Sequence, residues 1–450
     1  METKAKVPFL LLKVINTILV ILPFLGCWYG YYEPITMTNH SRQVSVLLFI
    51  IYVVAFYYTC HKMDGFRTSI MRIGELIFSQ IISIGVADVC AAIMIWMLSI
   101  HFPNLLPGFL CFLAQCVVIV PVCFVMHKVF FKQHPPQKTL VVYDVRQGME
   151  NLVATYGLEK RFEVIGTCAV EDFIVDMLSG IDVVFLCGVH SHERNVILKE
   201  CIYRNVKMYI IPRIGDVMMS ASEPMHMLHL PIVEAKRYNP PAEYRFIKRL
   251  FDIVSSGLLL LVISPLFLII ALLVKSDGGP AFYKQTRLTK DGKEFKILKF
   301  RSMCVDAEKY SGAVLSSGEN DPRITKVGRV IRACRLDELP QLINIFKGDM
   351  SVVGPRPERP EIAAEYEKEL PEFKLRLQAK AGLTGYAQVY GKYNTTPYDK
   401  LLMDLMYIAR PSMLEDMSII IATLKILFDK ESTEGVGTEA ETVYKVRRGK

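Results

Sequence analysis

Apolar positions are not spread evenly along the chain but gather into long blocks. Four come first, Val7–Tyr31, Val44–Cys60, Leu76–Ile100 and Leu105–Phe131. At 1.5 Å per residue each is about long enough to carry a helix across roughly 30 Å of hydrocarbon, the second being the shortest. The first block is too long for a secretory leader, and no small-residue cleavage site follows Gly26-Cys27-Trp28, so it is expected to stay as a helix. From Thr139 the pattern changes. Short β-rich runs, Thr139–Tyr143, Phe162–Ile165, Asp182–Cys187 and Met208–Ile211, alternate with helix-length stretches as far as Asn239-Pro240-Pro241. That alternation predicts a small parallel α/β domain of Rossmann type.

A fifth apolar run, Ile253–Val274, holds 22 residues without a charge and would span by length alone. Its flanks object. Lys248 and Arg249 precede it, and Lys275, Lys284, Arg287, Lys290, Lys293, Lys296, Lys299 and Arg301 follow. Basic residues on both sides belong to one leaflet. Ser264-Pro265 near the centre offers a break, because proline removes an amide donor and the serine hydroxyl satisfies a freed backbone group. A re-entrant helix over about 251–276 is therefore expected, in preference to a kinked span.

Composition agrees with a membrane protein that carries a large polar part. Hydrophobic residues make up 52% of the 450, charged residues 22%, and the mean hydropathy is +0.29. The net charge of +8 belongs first to cytoplasmic flanks and anionic headgroups, so no nucleic-acid partner is expected. Lys4, Lys6, Lys62, Arg67, Arg72, Lys128, Lys132 and Lys138 lie at the helix ends that this rule puts in the cytoplasm. Eleven scattered cysteines show no metal-site spacing and read as buried hydrophobes in a reducing compartment. Within the apolar blocks, Lys13 can snorkel and Asp88 alone defines no ion pathway. In the α/β part, Asp144-Val-Arg-Gln-Gly148 lacks the glycines of a dinucleotide loop, and Tyr156 to Lys160 is a chance match to a dehydrogenase pair.

Past the fifth run the chain is dense in polar motifs: Lys299-Phe-Arg-Ser-Met303, Asp321-Pro-Arg-Ile-Thr325, Arg332-Ala-Cys-Arg-Leu-Asp-Glu-Leu-Pro-Gln341 and Gly354-Pro-Arg-Pro357. Leu339, Leu342, Ile343 and Phe346 predict a short helix from Pro340 to Lys347, ended by Gly348, with Asp337 and Glu338 at its start. Such an end suits a phosphate, and Arg332, Arg335 and Arg356 add forked donors. Carboxylates among arginines suggest a hard divalent cation bridging to phosphate, Mg2+ being the natural choice, held by Asp337 and Glu338. Plain helix capping is the bland alternative. Leu401, Leu402, Leu405 and Met406, then Met413, Met417, Ile420 and Leu424, predict helices whose apolar faces meet either a membrane surface or a soluble core.

Together with Lys248-Arg-Leu-Phe-Asp252, Lys347-Gly-Asp-Met-Ser351 and Gly382-Leu-Thr-Gly-Tyr-Ala-Gln388, these motifs make residues from about Tyr244 to Phe428 resemble the bacterial sugar transferase family, the polyprenyl-phosphate sugar-1-phosphate transferases. The whole chain resembles their large form. The resemblance implies transfer of a sugar 1-phosphate from a UDP-sugar to polyprenyl (undecaprenyl) phosphate with release of UMP, the initiating step of exopolysaccharide, capsule or related glycan synthesis. It implies Asp337 as nucleophile of an aspartyl-phosphosugar intermediate and Glu338 as its companion. Lys299, Arg301, Arg332 and Arg356 would bind donor and acceptor phosphates, Arg332 the acceptor's. Ser264-Pro265 matches the family's break in its re-entrant helix. The expected fold class is membrane α plus α/β: a four-helix transmembrane domain over 1–138, a Rossmann-like domain over 139–240, and a mostly helical catalytic domain over 241–450, on the cytoplasmic face of a bacterial inner membrane. The N-terminal helices could also serve for contacts in a homodimer.

Three rivals have specific requirements. A membrane-tethered sugar dehydratase or epimerase needs the missing glycine loop. An inactive scaffold sits badly with the retention of Asp337, Glu338, Arg332 and Arg356. A transporter needs paired broken helices around a substrate path.

Overall fold

The computed structural model describes residues 2–36, 42–227, 229–276, 278–305, 323–391 and 395–427. Asp321 and Pro322, which open one of the polar motifs, lie outside them. The chain divides into two compact units, the first ending at Ile211 and the second beginning at Pro212.

The first unit opens with four long helices, α1 (Glu2–Cys27), α2 (Arg42–Lys62), α3 (Ile73–Leu98) and α4 (Leu106–Gln133). All four are long and apolar enough to cross a membrane, α2 with 21 residues included. Their outward faces carry side chains such as Leu10, Val14 and Ile18 on α1 and Val46, Ile50 and Val54 on α2, whereas Asn16, Ser79, Gln80, Ser83 and Gln115 are buried between helices. That arrangement, apolar outside with polar and small residues at the helix contacts, is what hydrocarbon surroundings favour. The buried stripe of α1 runs through Asn16, Val20 and Phe24 at four-residue steps, and Trp28 just past its end continues the spacing. Trp28 Nε1 donates to Ser45 Oγ of α2 at 3.0 Å.

The α/β part follows as β1 (Gln137–Tyr143), α5 (Met149–Thr155), β2 (Phe162–Ala169), β3 (Val183–Cys187), α6 (Ser191–Tyr203) and β4 (Lys207–Ile211). The strands lie in the order β2-β1-β3-β4. All pairings are parallel, with Thr139 opposite Val183 and Val183 opposite Lys207. Central β3 is buried along its whole length, as a two-sided sheet requires. Beyond β1 the chain turns at Asp144, whose carboxylate meets His190 Nδ1 at 2.5 Å. Gly148 is left-handed there, with φ 91°, and leads straight into α5.

The second unit starts earlier than the punctuation at Pro240-Pro241 suggests. Helix α7 (Ile214–Ser220) and the hairpin β5 (Glu223–Met227) and β6 (Leu230–Glu234), assigned by sequence to the α/β domain, belong to it. Val217 of α7 packs in one core with Val353, Phe373 and Leu401, and Tyr238 N–H donates to Gln378 Oε1 at 3.1 Å. Burial, which sequence punctuation does not display, decides the boundary.

Next come α8 (Ala242–Val262) and α9 (Ser264–Lys275), bent by 66° at their junction. Ser264 Oγ donates to Leu261 O at 2.7 Å, and Pro265 stands in the first turn of α9, where it needs no amide partner. Leu258, Leu261, Val262, Leu268, Ile269 and Leu272 are all exposed on this pair. The antiparallel hairpin β7 (Phe282–Leu288) and β8 (Glu294–Phe300) leads to α10 (Lys326–Ala333), α11 (Gln341–Lys347), β9 (Ser351–Val353), α12 (Pro360–Glu369), β10 (Gly382–Thr384), α13 (Tyr386–Tyr390), α14 (Pro397–Ala409) and α15 (Met413–Leu427). Leu401, Leu402 and Leu405 of α14 are core residues, so that cluster faces protein, while Met406 and Leu424 stay exposed.

Candidate active site

Asp337 and Glu338 sit in a single turn, Leu336–Glu338, wedged between α10 and α11. The local sequence forces that turn. Thr325 caps α10, its Oγ1 accepting from Gly328 N–H at 2.9 Å. Gly328 lies so close to the backbone of Ser302 that a Cβ there would stand 1.9 Å from its carbonyl oxygen, which presses α10 against the end of β8. At the far end Arg335 takes a left-handed conformation, φ 55°, a strained choice for a non-glycine residue, and redirects the chain into the carboxylate pair. Gly348, at φ 99°, then stops α11.

The two carboxylates receive unequal treatment. Lys299 Nζ on β8 donates to Glu338 Oε1 at 2.6 Å, and Arg356 Nη2 donates to the same oxygen at 3.3 Å. Burial would push the Glu338 carboxyl up, but Lys299 and Arg356 outweigh it and hold it well below the usual range. For Asp337 burial wins. It raises the carboxyl, Glu338 adds to the rise, and Lys299 and Arg332 only partly oppose it. One group is a fixed anion, its neighbour a carboxylate tuned toward greater basicity.

Arg356 is itself held in place. It lies between Pro355 and Pro357, and its carbonyl accepts from Arg376 Nη2 at 2.8 Å. Arg376 is buried and paired with Asp404 at 2.7 Å and Glu358 at 3.5 Å. Of the residues expected to meet phosphate, Lys299, Arg332 and Arg356 gather at the pair, but Arg301 does not. Its buried guanidinium donates to Pro280 O at 2.8 Å, Met303 O at 3.1 Å and Val274 O at 2.9 Å, so it fastens the end of α9 to the chain that follows.

Sequence reasoning quoted Lys248, Arg249 and Asp252 as a motif and missed their work. Arg249 Nη1 and Nη2 donate to Ile345 O and Phe346 O, both at 2.8 Å, capping the last carbonyls of α11 from α8. Asp252 Oδ1 accepts from Val352 N–H at 2.9 Å and Ser351 Oγ at 3.1 Å. Lys248 Nζ reaches Asp416 Oδ2 at 2.7 Å, and Tyr407 and Tyr244 donate to the same carboxylate. The helix that opens the bent pair is thus bolted to α11, β9 and α15, directly behind the carboxylates. The available signal was charge on one helical face: Lys248 and Asp252 are four residues apart at the start of an apolar helix.

Residues 243–430 match the family model described as "Bacterial sugar transferase". The exopolysaccharide production protein PSS of Rhizobium leguminosarum bv. phaseoli is 42% identical over 200 residues, which cover 98% of that protein and 42% of this chain. The chain belongs to the bacterial sugar transferase family. Among longer sugar transferases, the UDP-N-acetylgalactosamine-undecaprenyl-phosphate N-acetylgalactosaminephosphotransferase of Aeromonas hydrophila is 34% identical, over 51% of this chain and 54% of its own. The undecaprenyl-phosphate galactose phosphotransferase of Salmonella typhimurium is 39% identical, over 42% of this chain and 41% of its own. Matches to these longer relatives thus span about half of their length or less. The bent pair, the carboxylate turn and the Arg356 loop all fall inside the region that matches the family model.

Proposed function

We propose that this sugar transferase moves a sugar 1-phosphate from a UDP-sugar to a polyprenyl phosphate at the cytoplasmic face of a bacterial inner membrane. The step would initiate an exopolysaccharide, capsule or related glycan. The observation that carries the reading is the split between Asp337, raised by burial, and Glu338, locked by Lys299 and Arg356. The names of the Aeromonas and Salmonella relatives support the donor and acceptor classes.

An Asp337 oxygen attacks the sugar-bearing phosphorus of the donor. A new oxygen–phosphorus bond forms, the phosphoanhydride bond breaks, and UMP leaves. A phosphate oxygen of the polyprenyl phosphate then attacks the same phosphorus, releasing the Asp337 carboxylate and leaving a polyprenyl diphosphate-linked sugar. Dividing the transfer in two lets a soluble donor and a lipid acceptor use the site in turn. The chain's part is positioning and charge: Lys299 and Arg356 keep Glu338 anionic and still, and Arg332 beside Asp337 meets the incoming acceptor phosphate. Asp337 is also the carboxylate that would hold Mg2+, because Glu338 Oε1 already accepts from two cations. Among the described residues no cluster of three or more His, Cys, Asp or Glu could hold a metal alone. Phosphate oxygens and water would complete its shell, and when bound it supplies neutralisation of the donor's diphosphate charge. The bend of 66° between flanks that are both basic supports a pair that enters and leaves through one leaflet.

The test is UMP release by the solubilised full chain with Mg2+, a short polyprenyl phosphate and a panel of UDP-sugars. One sugar should give UMP with the wild type and none with Asp337→Asn. Full activity in Asp337→Asn would remove the nucleophile from this account.

A further inference from the structure

The first unit holds a cavity of about 400 Å3 where the basic-flanked ends of α3 and α4 meet the α/β part. Three separate stretches of chain build it. Ile73 opens α3. His127, Lys128 and Phe131 lie in the last two turns of α4, with Phe124 one turn before them. Lys160 ends the single turn Leu158–Lys160 that leads into β2. These walls are held against one another: Arg161 places its guanidinium 5.7 Å from the centre of the Phe130 ring on α4, and Arg72, at the start of α3, donates to Thr155 O at 3.4 Å. Lys160, whose spacing from Tyr156 matches a dehydrogenase pair by chance, is thus part of a wall shared with α4.

The charge of the cavity has one sign. Lys128, Lys160 and the His127 ring line it, and no carboxylate does. Neighbouring Glu159 lines a different cavity, together with Glu150 and Glu163. Among the described residues neither Lys128 nor Lys160 has a carboxylate partner. The remaining walls are apolar, and one of them continues along α4. Val117, Val120 and Phe124 fall at i, i+3 and i+7 on one face, are all exposed, and lead down to Lys128. Cations at the foot of an apolar stripe suit an amphiphile. A free phosphate would use the lysines and leave the stripe bare, and an uncharged lipid would use the stripe and leave the lysines unanswered.

We propose that this cavity seats an anionic diacyl phospholipid, its headgroup phosphate at Lys128 and Lys160 and an acyl chain along Val117, Val120 and Phe124. Basic pockets at the ends of membrane helices take phosphate headgroups in this way. The lipid bridges α4 and the α/β part. This inference stands apart from the transfer reaction and does not depend on it.

The probe is phosphatidylglycerol. The full-length protein in detergent is mixed with equal amounts of phosphatidylglycerol and phosphatidylcholine, and the lipids that stay bound are counted by native mass spectrometry. Wild type should retain phosphatidylglycerol in preference. Each lysine beside an anionic headgroup is worth about fivefold, so Lys128→Gln with Lys160→Gln should lower that preference by roughly 25-fold. Lys132→Gln with Lys138→Gln removes the same charge outside the cavity and should change it little. Should the first pair fail to fold, Lys160→Glu alone, on an exposed turn, takes its place and should abolish the preference. No preference in the wild type, or equal losses in the two pairs, would overturn the site. Displacement of the phospholipid by millimolar inorganic phosphate would overturn it in favour of a free anion. Stronger retention of a short polyprenyl phosphate would overturn it in favour of a second seat for the acceptor.

Discussion

Helix α4 and the α8–α9 pair are both long apolar segments with an internal proline, yet one runs unbroken and the other bends by 66°. Pro121 lies inside the 28 residues of α4, and Pro265 lies just past the junction of α8 and α9. Proline alone therefore does not break a helix in apolar surroundings. What differs is the company it keeps. At the bend Ser264 Oγ takes up the carbonyl of Leu261. Both ends of the pair are also bound to polar protein, by Lys248, Arg249 and Asp252 on α8 and by Arg301 at the end of α9. Around α4 the neighbours are helices of similar length, packed through residues such as Cys111, Ile119 and Cys123. Bending follows from where the ends are tied.

The largest test of this contrast is a pair of variants. Replacing Ser264 and Pro265 together by alanine removes the hydroxyl that takes up the Leu261 carbonyl as well as the ring, and should cut UMP release by two orders of magnitude or more, because α8 carries the ties behind the carboxylates. Pro121→Ala should leave the rate within a factor of two. Equal effects of the two would dissolve the contrast.

A middle-sized effect should come from the ties. Arg249→Met removes two charge-assisted bonds to α11 and should destabilise the second unit by about 2–4 kcal/mol. Urea unfolding followed by a probe in that unit measures it. Arg301→Lys should likewise lower stability while leaving the Michaelis constant for the UDP-sugar unchanged. A selective rise in that constant would return Arg301 to phosphate binding.

The smallest effect is a shift in pH dependence. Asp337 must be ionised to attack, and its carboxyl is raised by burial. Activity should therefore fail on the acid side at a pH above the ordinary aspartate value of about 3.9. Lys299→Met removes a charge that lowers the same carboxyl, so the acid limb should move to higher pH. An unmoved limb would mean that some other group sets it.

Much of this was legible in residue order. Apolar blocks marked the four helices, alternation marked the parallel strands, and Ser264-Pro265 together with basic flanks marked the bend. Asp337 and Glu338 stood out because helix-start carboxylates sat among arginines. Long-range pairing was hidden. Arg301 looked like a phosphate ligand because nothing local shows that Val274, Pro280 and Met303 carbonyls surround it. Residues 212–240 looked like part of the α/β domain because prolines are visible and the packing of Val217 against Leu401 is not. Asp88 seemed isolated because its partner Tyr52, itself bonded to Gln115, comes from another helix.

The bond between Lys248 and Asp416 joins residues 168 positions apart. During synthesis at roughly 5–20 residues per second, Asp416 is added on the order of ten seconds or more after Lys248. The nascent bent pair therefore exists before its protein tie does, and its first shape is dictated by its own apolar residues and whatever surrounds them. The rest of the second unit is then added to a pair that has already taken a shape, so a variant can misassemble at birth and still form a sound fold once refolded in detergent.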